Sequence, residues 1–522
     1  MLENKNENGD AAGCGCEKSV CMENPPNSFI LVIFGASGDL TYRKLIPSIF
    51  SLFQKDMLPS DFHIVGCART PMDDLGFRKK VAESIRSKYK SIPAKMIEVF
   101  NQNVHYVSGA YDSPEMFSAL SARLDSLDTQ YPTPPGRIYY LALPASVYTD
   151  VIEQLSNAGL VSEKRDGASP YRRVIIEKPF GYDLESARSI ERQMKNHLAE
   201  KQIYRIDHYL GKDTVQNILM LRFANMIFEP LWNNKYIDFV QITVAESIGI
   251  EHRAGYFDKA GLLRDIFQNH MLEMLSLVAM EPPASFDADS VRDEKAKLLR
   301  SIKRYKPEDV SANFIRGQYT QGIQNGEKIC SYVEEDGVPQ TSTTETFVAA
   351  KTFINNWRWN GVPFYLRAGK RLKRRVSEIA VTFKKIPHSI FNPLQPEDLH
   401  QNMLVLNVQP EEGFALNIQA KKPGAKLCMG DLPMDFFYRD IFKDEPPEAY
   451  ERLLLDCMAG DSTLFIRNDT IDLSWSLLTP ILEAWGENGS GAGKLCSYPA
   501  GSWGPKEAFS LIEADNRKWR EP

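Results

Sequence analysis

Apolar positions change their rhythm along the chain. From residue 28 to about 207 they form short unbroken runs: "FILVIF" at 29–34, then stretches within "HIVGCART" (63–70), "HYVSGAY" (105–111), "RIYYLALP" (137–144) and "RRVIIEKPFG" (172–181). A strand that is apolar at nearly every position is covered on both faces, and strands separated by helices pair in parallel. The intervening helical stretches fall at 40–57, 74–91, 114–127, 146–158 and 183–199, so this part predicts a doubly wound α/β sheet. Pro47 lies inside the first helix and bends it, because proline has no N–H to donate.

Beyond residue 208 the strands alternate more clearly between two faces. "DFVQITVAES" (238–247), "SEIAVTFKKI" (377–386), "NMLVLNVQP" (402–410) and "GFALNIQAKKP" (413–423) lie far apart or in hairpin order. They predict a large, mainly antiparallel sheet with one face packed on helices, among them 260–280 and 469–485. The boundary falls near Asp207. The expected organisation is a polar, unstructured tail at 1–27, an α/β domain at 28–207 and a β+α domain at 208–522. "GENGSGAGK" (486–494) reads as a loop.

Charge narrows the function. There are 62 basic and 68 acidic residues, a net charge of −6. That balance gives no reason to expect nucleic acid or an anionic membrane as partner, so any anion site is a local cluster. No apolar run reaches the roughly 20 residues of a membrane helix, and no signal-like apolar segment opens the chain. Eight cysteines are scattered, three of them within "CGCEKSVC" (14–21) with no second pair at ligand spacing. No metal is expected, and the cytoplasm is the expected location.

"GASGDL" (35–40) places Gly35 at the end of the first strand and Gly38 at the start of the first helix. Glycines there allow a tight turn, and the helix N-terminus stabilises a pyrophosphate. No Lys-Ser/Thr follows at the spacing of a P-loop, which argues against a nucleotide-hydrolysing enzyme. The second strand ends in Arg69 rather than an acid, and Arg43 and Lys44 lie on the nearby helix. A cationic end suits the 2′-phosphate of NADP rather than the free ribose of NAD.

Chemistry concentrates at the domain boundary, in "RIDHYLGK" (205–212). With "GASGDL", "EKPFG" (177–181) and "GYFDKAGLLRDIFQNH" (255–270) in this order, the chain resembles the glucose-6-phosphate dehydrogenases from about residue 28 to its C-terminus, "YPAGSWGP" (498–505) included. The resemblance implies a Rossmann domain followed by a β+α domain. It implies oxidation of β-D-glucose 6-phosphate at C1, NADP as hydride acceptor, and a homodimer or homotetramer. It makes His270 the catalytic base and Asp207 the carboxylate that orients it, a pairing that suits loss of a hydroxyl proton. His208, Tyr209 and Lys212 become the phosphate site, with Asp213 capping the following helix. Glu246, Asp265, Lys370 and Arg375 become further substrate contacts. Gly35, Ala36, Ser37, Gly38, Asp39, Leu40, Arg69, Tyr111 and Tyr148 become cofactor contacts, and Lys178 lies between sugar and nicotinamide, before a cis proline. Animal members hold a second, structural NADP with basic residues just past "GKRLKRR" (369–375), and where they have a lysine this chain has Val376.

Two other readings fit parts of the pattern. A related sugar oxidoreductase shares "EKP" after a Rossmann domain but does not need His208, Tyr209 and Lys212 together. A catalytically dead NADP sensor would lack His270 or Asp207, and both are present.

Overall fold

The computed structural model describes residues 26–131, 134–163, 170–392, 394–441, 447–486 and 493–522. The expected tail lies almost wholly outside these residues, as does most of the loop at 486–494. The first part is built from β1 (Phe29–Phe34), α1 (Ile46–Gln54), β2 (Phe62–Ala68), α2 (Asp74–Lys88), α3 (Ala94–Gln102), β3 (Val104–Ser108), α4 (Pro114–Asp128), β4 (Gly136–Leu141), α5 (Ala145–Asn157), β5 (Arg172–Ile176), α6 (Leu184–Lys195) and β6 (Ile203–Arg205). Among the described residues the strands form one parallel sheet in the order β3-β2-β1-β4-β5-β6. Every residue of β1 and of β4 is buried, as continuous apolar strands demand. The order reverses direction between β1 and β4, which opens a crevice at their carboxyl ends. The helix after β1 begins irregularly. Thr41–Leu45 is a π-turn that runs without a break into α1, with Leu40 and Ile46 both helical, so Pro47 lies inside a continuous helix directly after the widened turn.

The second part follows with α7 (Asp213–Phe223), β7 (Ile237–Ala245), α8 (Ala254–Leu262), α9 (Leu272–Ala279), α10 (Ala288–Ser301), α11 (Pro307–Asn313), β8 (Phe314–Thr320), β9 (Gly322–Gln324), β10 (Glu327–Ile329), β11 (Phe347–Phe353), β12 (Pro363–Gly369), β13 (Val376–Phe383), β14 (Met403–Gln409), β15 (Gly413–Lys421), β16 (Met429–Phe437), α12 (Tyr438–Ile441), α13 (Ala449–Ala459), α14 (Asn468–Trp485), β17 (Leu495–Pro499) and α15 (Lys506–Glu513). Its main sheet runs β16-β15-β14-β13-β7-β12-β11-β8-β17. Neighbours are antiparallel except β7 with β12 and β8 with β17. The predicted helix at 260–280 is really three pieces: α8, a nine-residue π-helix at Leu263–Met271, and α9.

One hydrophobic cluster extends from Phe29 through both sheets to Trp519, so the two parts share a core. Polar ties reinforce it. Arg205 bridges to Ile466 along the backbone, Trp475 Nε1 donates to the Phe180 carbonyl at 3.0 Å, and Lys55 pairs with Glu451 of α13 at 2.8 Å. Arg205 itself is fully buried between Glu191 and Glu200, so this member of "RIDHYLGK" serves the fold.

Candidate active site

The carboxyl ends of the first sheet face the ends of β7, β12 and β14 and the start of β13 across a cleft of about 1060 Å3. From the first sheet come the Gly35 loop after β1, Arg69 after β2, Ala142–Pro144 after β4, Glu177–Lys178 after β5 and Asp207 after β6. From the second come Glu246 after β7 and Lys370 after β12. Parallel pairing of these strands in register, Ala245 beside Gly369, sets those two residues next to each other. Arg375 precedes β13, whose first residue pairs with Ala245, and Gln409 ends β14 opposite Ser377.

Asp265 and His270 are five residues apart on the π-helix. In an α-helix that separation points two side chains roughly 140° apart. In a π-helix, residues five apart are linked by one hydrogen-bonded turn and lie nearly above one another. Both line the cleft for this reason.

His270 Nδ1 lies 2.5 Å from Asp207 Oδ1, and Lys178 Nζ lies 3.0 Å from His270 Nε2. Tyr209 stacks on the imidazole with ring centroids 4.2 Å apart, and His208 meets it edge-on. Burial works against ionising Asp207, but His270 beside it holds the carboxyl well below its usual range. Burial also lowers the His270 pKa, only partly offset by Asp207. The imidazole is therefore neutral. The acceptor-only carboxylate fixes the proton on Nδ1 and leaves a lone pair on Nε2. Lys178 also donates to the Asp265 carbonyl at 3.1 Å. His208 is neutral too, its pKa driven down by burial and by His270 and Lys178.

One side of the cleft gathers cations. Gln409 Oε1 accepts from Lys212 Nζ at 2.5 Å and from Arg375 at 3.2 Å. Its Nε2 donates to the Tyr209 hydroxyl at 3.1 Å and to Ser377 at 2.8 Å. Two cations thus converge on one neutral oxygen. Burial lowers the Lys212 pKa to about 8, aided by Arg375 and opposed by Glu412. On the facing wall Lys370, almost fully buried, donates to Glu246 at 2.6 Å.

The other side fits a dinucleotide. Gly35 has φ +83°, and an added Cβ would collide with the Ala142 carbonyl. Its N–H points to the Tyr111 hydroxyl at 3.1 Å as well as to the Cys67 carbonyl at 3.0 Å. Ala36 is buried, Ser37 accepts from Thr70 at 3.0 Å, and Leu40 lines the cleft. Arg69 is exposed at the end of β2, its guanidinium 6.0 Å from the Tyr111 ring. Of the other cations expected here, Arg43 pairs with exposed Asp39 at 3.3 Å and Lys44 with Glu448 of the second part at 3.0 Å.

Comparison with known proteins settles the family. Residues 32–217 match the profile described as "Glucose-6-phosphate dehydrogenase, NAD binding domain", and 219–520 match "Glucose-6-phosphate dehydrogenase, C-terminal domain". The chain belongs to the glucose-6-phosphate dehydrogenase family. The glucose-6-phosphate 1-dehydrogenases of Aggregatibacter actinomycetemcomitans and Chlamydia pneumoniae are 46% and 44% identical to it. Each alignment covers 94% of this chain, and 97% and 96% of those proteins. A solved glucose-6-phosphate dehydrogenase in complex with its substrate glucose 6-phosphate superposes with a TM-score of 0.87 at 35% identity, covering 96% of this chain and all of that one. The Mycobacterium avium enzyme superposes at 0.79 with 34% identity, covering 95% and 99%.

The expected substrate residues, His270, Lys178 and Leu40 line this one cleft, Asp207 lies buried behind His270, and the Lys178–Pro179 bond is cis. Gly35, Ala36, Ser37, Gly38, Asp39, Arg69 and Tyr111 lie outside its lining. Three expectations need correction. Tyr148 is fully buried and does not line the cleft, because it lies on the core stripe of α5 with Val151, Ile152 and Leu155. Asp213 does not cap α7. Lys212 is the boundary residue, with extended backbone, so Asp213 falls one position inside the helix and makes no capping bond. Lys44 does not stand open for a phosphate, since Glu448 holds it. Val376 is buried in β13 and brings no charge to a second dinucleotide site. Among the described residues, Asp207, His208 and His270 are the group close enough together to share a metal ion, but both His270 nitrogens are engaged by Asp207 and Lys178. Sequence reasoning missed Gln409, Glu177, Arg253 and Tyr256, all of which line the cleft.

Proposed function

We propose that this protein oxidises β-D-glucose 6-phosphate at C1 to 6-phospho-D-glucono-1,5-lactone with hydride transfer to NADP, the first step of the oxidative pentose phosphate pathway. The observation that carries this reading is the buried, neutral His270 held between Asp207 and Lys178, one cleft wall away from Lys212 and Arg375. His208, Tyr209, Lys212 and Arg375 take the sugar phosphate, with Gln409 holding the two cations in place. Glu246, Asp265 and Lys370 read the ring hydroxyls. Substrate replaces Lys178 at His270 Nε2, so that the C1 hydroxyl donates to that lone pair. As the C1–O bond becomes a carbonyl, the hydroxyl proton passes to Nε2 and Asp207 stabilises the resulting imidazolium. NADP, when bound, accepts the hydride from C1. The Gly35–Leu40 loop, Tyr111, Arg69 and Lys178 would hold it, the tight turn at Gly35 and the helix start after it taking the pyrophosphate and Arg69 the 2′-phosphate. Absorbance at 340 nm with NADP and a panel of sugar phosphates tests the proposal. Glucose 6-phosphate should be oxidised well ahead of the others, and an inert glucose 6-phosphate would overturn it.

We further infer a division of labour at residue 207, with the cofactor held by 28–207 and substrate by 208–522. The protein works as a homodimer or homotetramer. Exposed Leu427, Leu432, Phe436 and Ile441 on and around the edge strand β16 support this, since unpaired apolar edges mark interfaces. The free cysteines Cys67, Cys330, Cys428, Cys457 and Cys496 suit the reducing cytoplasm, and no helix among the described residues is long and apolar enough to cross a membrane.

A further inference from the structure

We infer that Glu345 is a positioning residue for the reaction: it caps, from a distant part of the chain, the helix that carries Asp265 and His270. This inference rests on the function proposed above. The helix breaks inside α8, one residue before its end, at Gly261, whose backbone adopts φ +68° and ψ 171°. A helix that restarts after such a break has N–H groups with no partner behind them. Here Glu345 supplies partners for the first two. Its backbone carbonyl accepts from Leu262 N–H at 3.1 Å, and its carboxylate Oε1 accepts from Leu263 N–H at 3.0 Å. Gly261 is required by the same contact, since a Cβ there would run into the Glu345 carboxylate.

The cap matters because the register of this helix is unusual. Only the five-residue spacing of a π-helix brings Asp265 and His270 to the same side, and the first fixed N–H groups determine which carbonyls the following ones can reach. Leu263 is the first residue of that helix, and Asp265 follows two positions later. The next residue extends the role to the opposite wall. Thr346 accepts Lys370 N–H on its carbonyl at 2.9 Å, and the Tyr498 hydroxyl donates to the Lys370 carbonyl at 2.8 Å. Two adjacent residues before β11 therefore align the base and Asp265 on one side with Lys370 and Glu246 on the other.

Glu345 is buried, with Arg264 and Arg316 as the cations that face it, and burial raises its pKa. Its work here is done by an acceptor oxygen at a set reach and does not depend on full charge. That separates three substitutions. Glu345→Gln keeps an oxygen at the same distance. Glu345→Asp keeps the charge but withdraws the oxygen by one methylene. Glu345→Ala removes it.

The experiment measures kcat, KM for glucose 6-phosphate, Kd for NADP and hydrogen exchange over 262–272 in the wild type and the three variants. Glu345→Asp and Glu345→Ala should lose at least tenfold in kcat and raise KM for the sugar phosphate, while Kd for NADP changes less than twofold. Glu345→Gln should stay within threefold of wild type throughout. Exchange in 262–272 should quicken in the Asp and Ala variants and not in Gln, a readout that stands whether or not the wild type turns over glucose 6-phosphate. Should Glu345→Ala fail to fold, Glu345→Asp carries the test. Wild-type turnover and exchange in Glu345→Asp, or a Gln variant as impaired as Ala, would overturn the inference. A wild type inactive on glucose 6-phosphate but with the expected exchange pattern would sink the proposed function and leave the capping role standing.

Discussion

Lys178 Nζ stands 3.0 Å from Nε2 of His270, on the side of the ring opposite the Asp207 carboxylate. The nitrogen that must accept a proton is thus covered by an ammonium until something displaces it. Lys178 is tied to the Asp265 carbonyl as well, so displacement from the imidazole does not send it into solvent. A sugar hydroxyl arriving there meets a neutral ring, a fixed tautomer and a cation already in place. Each of these conditions can be probed separately.

His270→Asn should cut kcat by roughly 10²–10⁴, the range for loss of a general base, while KM for glucose 6-phosphate stays within a few-fold. Asp207→Asn should also slow turnover, by no more than loss of the base, since an amide neither holds the tautomer nor stabilises imidazolium. Steady-state kinetics on the two purified variants decides it. A His270→Asn enzyme keeping more than about a tenth of kcat would move the role elsewhere, with His208 next in line.

The acid limb of kcat/KM should have its midpoint below 6.5, the ordinary histidine value, because burial lowers the His270 pKa. Removing Asp207, which opposes that shift, should move the limb further toward acid. Stability should change in the same direction. With both folded-state pKa values depressed, the unfolded chain binds more protons, so stability declines as pH falls below 6.5 for His270 and declines further through the range of Asp207, whose ordinary value is 3.8. Melting temperatures from pH 8 down to 4 should trace this decline, and the His270→Asn variant should lose only its own share of the upper part, since buried His208 titrates low for the same reason.

Burial lowers the Lys212 pKa to about 8, so in its proposed role as a phosphate ligand it would lose its proton within an accessible pH range. KM for glucose 6-phosphate should rise above pH 8 as the ammonium loses its proton, with kcat less affected. Lys212→Ala should start from a high KM and show little of this rise. KM measured from pH 7 to 9.5 in both proteins would reveal a flat wild-type profile if Lys212 did not touch the phosphate.

Arg69→Ala should weaken NADP far more than NAD. One lost charge-assisted contact to phosphate is worth about 1.5–3 kcal/mol, which corresponds to roughly ten- to hundredfold in KM for NADP. Equal losses for both cofactors would show that Arg69 does not read the 2′-phosphate.

The first domain was legible because its signals are local. Apolar runs and helical stretches alternate, and β1 to β5 follow directly. The second domain was legible only in part. β12 contains the fully buried Arg367, and a charge at such a position hides the strand from any apolar pattern. Gln409 was invisible for another reason. A neutral amide carries no signal of its own, and its role exists only through pairing of β13 with β14, which sets it beside Ser377 at a separation of 32 residues. The π-helix left no trace either, since the apolar positions of 260–280 suit an ordinary helix equally well. Tyr148 is different, for there the pattern was present and outweighed. Its spacing from Val151, Ile152 and Leu155 is that of a core stripe, while the resemblance alone pointed to the cofactor.

The end of the chain is stitched across the strands that carry the substrate residues. Asp515 pairs with Lys351 and Arg517 with Asp238. The Gln241 amide bonds both the Lys518 carbonyl and the Arg520 N–H, and Trp519 packs on Arg367. The strands that present Glu246 and Lys370 are thus fastened by residues 277 to 279 positions further along the chain. Every strand in this fastening belongs to the second part, so damage to it would loosen the proposed sugar site before the cofactor half.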